Sequence, residues 1–232
     1  MNFYKASRFN KQAASFLALG DYDAALESLA AAATILRDLP VRMEAGDEHH
    51  ESLAEIMLAA QRSIASCTTA SFLSGGNIPV LQEGSNFYIF SRALLFHADK
   101  EDEYELLTHS QHSFCISMVV FNMGLGRHAQ AKKTGKDSFL EKALSFYEMS
   151  WELLQVVEAP LMESVCLLAL AIMNNMAEIH LELGDVCTSQ MLLESIQPLV
   201  SELSDDTVAK TQADECCLNS MITNGILVAR CA

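Results

Sequence analysis

Histidine, cysteine and acidic side chains come close together at three places in the chain. Imidazole, thiolate and carboxylate groups bind zinc and related metals, and they also act as general acids and bases. The three groups are His109, His112 and Cys115; Asp47-Glu48-His49-His50-Glu51; and Glu178 with His180. Each group is therefore a candidate for metal binding or proton transfer, and its spacing decides whether the side chains can converge.

The spacing argues against both chemistries. Three-residue steps on a helix let His109 and His112 share a face but turn Cys115 away from it. Glu178 and His180 are two residues apart and point to different faces of a helix. The mixed acidic and histidine run falls at a predicted helix N-terminus, where carboxylates favour the helix dipole. No P-loop or nucleophile motif occurs. We therefore predict no enzyme, no catalytic residue, no metal site and no cofactor.

Composition and charge narrow the class of protein further. Half of the 232 residues are apolar, and ten glycines with only four prolines fit a helical protein with an ample core. Thirty acidic residues outnumber 15 basic ones, which gives a net charge of −15. Such a charge repels nucleic-acid phosphates and anionic lipid surfaces. We therefore expect neither a nucleic-acid nor a membrane partner.

Targeting and cysteine usage point to the cytoplasm. The longest apolar run, Val165–Met173, has nine residues, far short of the ~20 that span a bilayer. The N-terminal residues lack the apolar stretch of a secretory signal. Seven cysteines, an odd number with no C-x-x-C, fit buried reduced thiols. The expected location is cytoplasmic, with the nucleus as an alternative.

Apolar periodicity and turn residues predict a chain of helices. The expected helices cover 2–19, 21–39, 47–67, 102–130, 138–156, 160–183, 187–203 and 205–229. The stretch from 68 to 100 breaks this rhythm, because glycines and a proline stand beside an aromatic cluster at 87–96. We expect an irregular, extended strap there.

Three helix pairs share one pattern of large and small residues. A small residue stands where one helix crosses its partner closely, and large residues fill the space beside it. The positions are Phe9, Gln12, Ala13, Phe16, Ala25 and Leu29; Val120, Met123, Gly124, Arg127, Ala143 and Tyr147; and Met173, Met176, Ala177, His180, Ser189 and Leu193. The two small residues are 12 apart in the first and third copies but 19 apart in the middle one. This predicts a middle turn expanded by seven residues around the lysine-rich segment 132–137.

These patterns resemble the tetratricopeptide-repeat (TPR)-like superfamily over 2–39 and 102–203. The strings FNMGLGRHAQA, LEKALSFYEMSWELL and MNNMAEIHLELGD are similar to those of a set of uncharacterised algal TPR-like proteins. The resemblance implies an all-α fold in which antiparallel helix pairs stack as a short superhelix. It implies one domain over 1–232, with pairs at 2–39, 102–156 and 160–203 and a capping helix at 205–230. The strap and the expanded middle turn depart from the family pattern.

The same resemblance implies a groove, lined by the first helix of each pair, that holds a peptide or a partner helix. Ala14, Phe121, Leu125 and Glu178 stand where a carboxylate clamp would need basic or amide side chains, so no such clamp is expected. The strap is an alternative occupant of the groove. Carried onto this chain, the partner-binding positions are Asn10, Phe121, Leu125, Asn174, Glu178 and Glu182, with Ala14 beside them.

The functional prediction is a non-enzymatic scaffold that binds a protein or peptide. Residues 143–232 carry 13 acidic and two basic residues, so a basic partner segment is one expectation. The alternatives are a small-ligand or peptide-sensing regulator with the 68–100 strap as its lid, and an enzyme of unknown class. Homo-association stays open, because the end of a helical stack is apolar unless a last helix caps it.

Overall fold

The computed structural model describes residues 3–41, 91, 93–96, 107–157 and 162–202. The regular elements within these residues are all α-helices. They form three consecutive pairs, and the two helices of each pair pack against each other. The predicted all-α fold class is confirmed. The helices are α1 (Phe3–Leu19), α2 (Tyr22–Arg37), α3 (His109–Thr134), α4 (Asp137–Leu154), α5 (Met162–Glu182) and α6 (Val186–Glu202).

The chain divides into two compact units. Helices α1–α4 and residues 93–96 belong to the first unit, and α5 and α6 belong to the second. The single domain over 1–232 stays a prediction. The predicted helix 47–67, nearly all of the strap, the capping helix 205–230 and the 47–51 cluster lie outside the described residues. None of the described helices combines the length and the apolarity needed to cross a bilayer.

The hairpin turns of α1–α2 and α5–α6 have the same construction. Gly20 and Gly184 take the left-handed conformation, with φ of 72° and 85°, which glycine adopts without steric cost. The aspartate that follows each glycine caps the next helix. Asp21 Oδ1 accepts from the Ala24 N–H at 3.3 Å, and Asp185 Oδ1 accepts from the Thr188 N–H at 3.1 Å. The breaks predicted between helices 2–19 and 21–39 and between helices 160–183 and 187–203 are confirmed.

The small residues of the repeat lie where helices approach closely. Ala13, Ala25, Ala177 and Ser189 are all fully buried. The clearest case is Gly124 on α3, where a Cβ atom would stand 2.7 Å from Tyr147 Cε1 and 3.3 Å from the Ala143 carbonyl oxygen on α4. Only glycine permits this crossing, because any side chain would overlap the Tyr147 ring.

The middle hairpin corrects two predictions. Helix α3 starts at His109 rather than 102, because Thr108 and Gln111 form a capping box that fixes its first turn. It then runs through Thr134, so the expanded lysine-rich turn is wrong. The turn is only Gly135 and Lys136, with Gly135 at φ 65°.

The seven additional residues instead lengthen both helices by about one turn each. Gly135 lies 11 residues after Gly124, whereas Gly20 lies seven after Ala13. Ala143 lies seven residues after Lys136, whereas Ala25 lies four after Asp21. Additions of four and three residues come close to the 3.6 residues of a helical turn, so the crossing residues keep their faces.

Helix α3 occupies the centre of the first unit. Every residue from Cys115 to His128 is buried. A Cβ atom at Gly126 would stand 3.2 Å from Leu17 on α1, and the same position faces Leu26 on α2. A helix buried all round is typical of the interior of a domain. The polar residues inside α3 must therefore find hydrogen-bond partners within the protein.

Candidate functional site

Residues 93–96 form a non-helical segment that lies against α1 and α3. The main chain of Leu94 is held at both of its polar groups. Its N–H donates to Asn122 Oδ1 at 2.8 Å, and its carbonyl oxygen accepts from Asn122 Nδ2 at 2.8 Å and from Asn10 Nδ2 at 2.9 Å. Asn122 Nδ2 also donates to Asn10 Oδ1 at 2.8 Å. One asparagine thus pairs with the backbone of one residue as a neighbouring β-strand would.

The two asparagines are fully buried, and their bonding depends on the segment. Asn122 Oδ1 and Asn10 Nδ2 have a partner only while the Leu94 backbone is present, whereas Asn122 Nδ2 and Asn10 Oδ1 also bond to each other. A buried polar group without a partner costs about 1–3 kcal/mol. The pair therefore favours an occupied site over an empty one. We refer to Asn10 and Asn122 as the amide pair.

Helix α1 supplies three side chains to the same segment. Phe3, Ser7 and Asn10 follow one another at four- and three-residue steps, which places them on one face of a helix. Ser7 Oγ donates to the Phe96 carbonyl oxygen at 2.7 Å. The Phe3 and Phe96 rings are stacked, with centroids 5.2 Å apart and an angle of 21° between their planes. Since Leu94 pairs with Asn10 and Phe96 with Phe3, the segment runs antiparallel to α1.

The last two side chains of the segment differ in burial. Leu95 is 39% exposed, whereas Phe96 is 7% exposed. Neighbouring side chains of an extended chain point to opposite sides, so this difference fits an extended conformation. The segment therefore presents one side chain to solvent and places the next one in the protein.

The predicted site residues have different positions. Asn10 belongs to the amide pair, and Ala14 is half-buried on α1. Phe121 and Leu125 are buried, and the Phe121 ring lies 5.4 Å from that of Tyr147, inside the α3–α4 hairpin. These two residues therefore serve the packing of the first unit.

The other three predicted positions lie on α5 of the second unit. Asn174 is fully buried, with Nδ2 3.4 Å from Asn175 Oδ1. Glu178 is also buried, and Glu182 is exposed. The amide pair therefore brings together only one of the predicted residues, Asn10, with a residue outside that set.

Sequence reasoning missed Asn122, Ser7, Phe3 and Phe96 as site residues. Two signals could have found the first three. The first signal is that Asn122 interrupts the apolar run of α3, where a polar residue needs a specific partner. The second is that helical spacing places Ser7 and Phe3 on the same face of α1 as Asn10. The contribution of Phe96 depends on how the chain returns to α1, which no local pattern specifies.

The histidine and cysteine group on α3 lies in the interior. His109, His112 and Cys115 are buried, and His112 Nε2 lies 2.7 Å from the carbonyl oxygen of Leu36. Burial raises the pKa of the Cys115 thiol to about 12, so this thiol stays protonated and unreactive at neutral pH. These residues join α3 to α2 rather than presenting a reactive surface.

Comparison of the chain with protein-family models, with curated proteins and with solved structures gives no match.

Proposed function

We propose that this protein is a non-enzymatic interaction scaffold that holds an extended peptide against α1 and α3. One observation carries the proposal: the amide pair holds both the N–H and the carbonyl oxygen of a single residue in a non-helical segment. Backbone bonds of this kind are independent of the side chain, so the site can accept other sequences in the same conformation. Residues 93–96 then show how a peptide partner would lie.

The repeated construction of the helical hairpins supports the proposal. Two hairpins with the same glycine–aspartate turn recur 164 residues apart, and the middle hairpin has the same crossing with longer helices. We propose that the chain is a divergent TPR-like repeat protein. In that arrangement α1 and α3 are the first helices of their pairs, which are the helices expected to line a groove.

Charge suggests where each kind of partner would bind. Helix α1 carries Lys5, Arg8 and Lys11 and no acidic residue. A strongly basic peptide is therefore disfavoured at the amide pair, and the basic-partner expectation applies to the acidic residues of 143–232. We place the protein in the cytoplasm as part of the same proposal.

A regulator that uses part of the strap as a lid is the second candidate. The contact of residues 93–96 with α1 and α3 favours it, because this segment covers the amide pair. The two candidates differ in what replaces the segment. A scaffold exchanges it for a peptide, whereas a small-ligand sensor would not bind a peptide of the same sequence.

The test uses a fluorescein-labelled peptide with the sequence of residues 91–97 and fluorescence anisotropy. Leu94→Pro removes the N–H that donates to Asn122, so it weakens the internal segment without changing the amide pair. We expect this variant to bind the peptide at least ~10-fold more tightly than the wild type, whose tethered segment competes at a high effective concentration. Adding Asn122→Ala to this variant should abolish the tighter binding of the peptide.

Circular dichroism and the fluorescence of Trp151, the single tryptophan, check that the variants fold. A second measurement avoids the variant altogether. Excess peptide should accelerate hydrogen exchange of the Leu94 amide in the wild-type protein, because a displaced segment loses its bond to Asn122. Absence of both binding and displacement would overturn the proposal.

A further inference from the structure

The occupant of the amide pair also shows which side chains the site can select. The bonds of the amide pair to Leu94 involve only its main chain, and Leu95 is 39% exposed, so these bonds do not themselves select a side chain at either position. Phe96 differs, because it is 7% exposed and stacks on Phe3. Selection should therefore be concentrated at the second residue after the one that is held.

The geometry of α1 fixes the register of the occupant. Ser7 and Asn10 hold the carbonyl oxygens of Phe96 and Leu94, two residues apart along the segment. A shift by one residue would turn the aromatic side chain away from Phe3 while the amide pair held a different residue.

We infer that the α1–α3 site selects extended peptides with an aromatic residue two positions after the residue held by the amide pair. Leu94-Leu95-Phe96 is the chain's own competing copy of this ligand. The inference rests on the proposed function, and it adds a sequence preference to it. The ligand class is an apolar peptide segment with a free backbone N–H at the first position and an aromatic ring at the third.

The physical basis of the preference is ring stacking combined with burial. A stacked aromatic pair contributes to binding beyond the apolar area that it buries. Removal of the ring also returns Phe3 to water, which weakens binding further. The main-chain bonds to Asn10, Asn122 and Ser7 remain in either case. An alanine at the third position should therefore weaken binding without preventing it.

The experiment compares three peptides on the Leu94→Pro protein. The parent peptide SRALLFH is matched with SRALLAH, which lacks the ring, and with SRALSFH, which changes only the exposed position. We expect the first change to weaken binding about 10-fold or more and the second to change it less than about twofold. If Leu94→Pro does not fold, displacement of Leu94 in the wild-type protein gives the same ranking.

A protein variant tests the partner ring. Phe3→Ala should remove most of the preference for SRALLFH over SRALLAH, and Tyr4→Ala, which alters the neighbouring ring of α1, should preserve it. Equal binding of these two peptides, with Asn122→Ala still abolishing both, would overturn the inference and leave the proposed function intact. Failure of every peptide to bind or displace Leu94 would overturn both.

Discussion

The helical hairpins of residues 3–37 and 162–202 correspond position by position at a spacing of 164 residues. Gly20 and Asp21 recur as Gly184 and Asp185, and the buried Ala13, Ala25 and Leu29 recur as Ala177, Ser189 and Leu193. The correspondence includes Asn10 and Asn174. Asn10 Nδ2 bonds to the Leu94 carbonyl oxygen of a separate segment, and Asn174 Nδ2 lies 3.4 Å from Asn175 Oδ1 on its own helix. The frame of the hairpin is therefore repeated together with a buried asparagine on its first helix.

The α3–α4 hairpin shows how the same frame accepts different side chains. Tyr147 stands where the other hairpins have Leu29 and Leu193, and Gly124 stands where they have Ala13 and Ala177. A larger residue on one helix is thus matched by a smaller one on its partner. The combined volume of the two side chains at the crossing is therefore constrained more strongly than the volume of either side chain alone.

The crossing gives the largest expected effect. Gly124→Ala should destabilise the first unit by about 1–3 kcal/mol, because the added methyl overlaps the Tyr147 ring. Combining it with Tyr147→Leu recreates the pair found in the other hairpins, so the double variant should be more stable than the sum of the two single effects predicts. Urea unfolding followed by Trp151 fluorescence measures all four proteins. Strictly additive effects would contradict the volume argument.

Asn10 and Asn174 provide the next comparison. Asn10→Ala should accelerate hydrogen exchange at the Leu94 amide by about 10-fold, because it removes one bond to the Leu94 carbonyl and one to Asn122. Asn174→Ala is the matched control and should leave Leu94 unchanged. Residue-resolved exchange by NMR makes the measurement. Equal acceleration by both variants would mean that Leu94 reports overall stability rather than the amide pair.

The glycine turns should respond alike. Gly20→Ala and Gly184→Ala should each cost about 1 kcal/mol, since both positions have a positive φ that alanine adopts with strain. Asparagine tolerates this conformation better, so Gly20→Asn and Gly184→Asn are the matched controls and should cost less. Exchange of the amides of each hairpin reports the local effect. A large difference between the two glycines would show that the turns are not equivalent.

The smallest expected effect concerns the response of the α5–α6 turn to acid. Hydrogen bonds from Thr188, together with His180, lower the pKa of Asp185, and His180 Nδ1 lies 3.5 Å from its carboxylate. A lowered folded-state pKa gives stability that is present above the unfolded pKa and lost as the pH falls through the folded value. Acidification should therefore loosen the α5–α6 turn.

Two variants identify the source of this acid response. Asp185→Asn should reduce it, because the amide cannot titrate. His180→Phe, which reproduces Phe16 of the first hairpin, should preserve most of the acid response. The reason is that Thr188 lowers the pKa of Asp185 more than His180 does. Amide exchange of α5 and α6 between pH 7 and pH 3 measures the response. An unchanged acid response in Asp185→Asn would assign it to another group.

Local chemistry was enough to predict much of the fold. Turn residues and the spacing of small and large residues act within a few positions. The predicted helix ends near residues 19 and 183 agree with the structure, and Ala13 and Ala177 are fully buried. The middle turn was predicted wrongly because the residue count gave the length of the addition but not its place. Lysines are good helix formers, so Lys132 and Lys133 continue α3 until Gly135 ends it.

The candidate site could be predicted only in part. Asn10 follows from its position on the first helix of a pair. Asn122 lies one residue from the predicted Phe121, on a helix so buried that its apolar pattern does not distinguish a groove face. The pairing of Leu94 with both asparagines joins residues 84 and 28 positions apart, so it depends on tertiary structure.

The saturated bonding of the amide pair has a kinetic consequence for any exchange of occupants. A vacant intermediate would leave Asn10 Nδ2 and Asn122 Oδ1 without a partner in the interior, so departure and arrival should be coupled, as in strand displacement between nucleic acids. An incoming chain would bind first at the stacked rings near the start of α1. It would then displace the segment residue by residue toward Asn10. Replacement would thus be slow in the absence of a competitor and accelerated by its concentration.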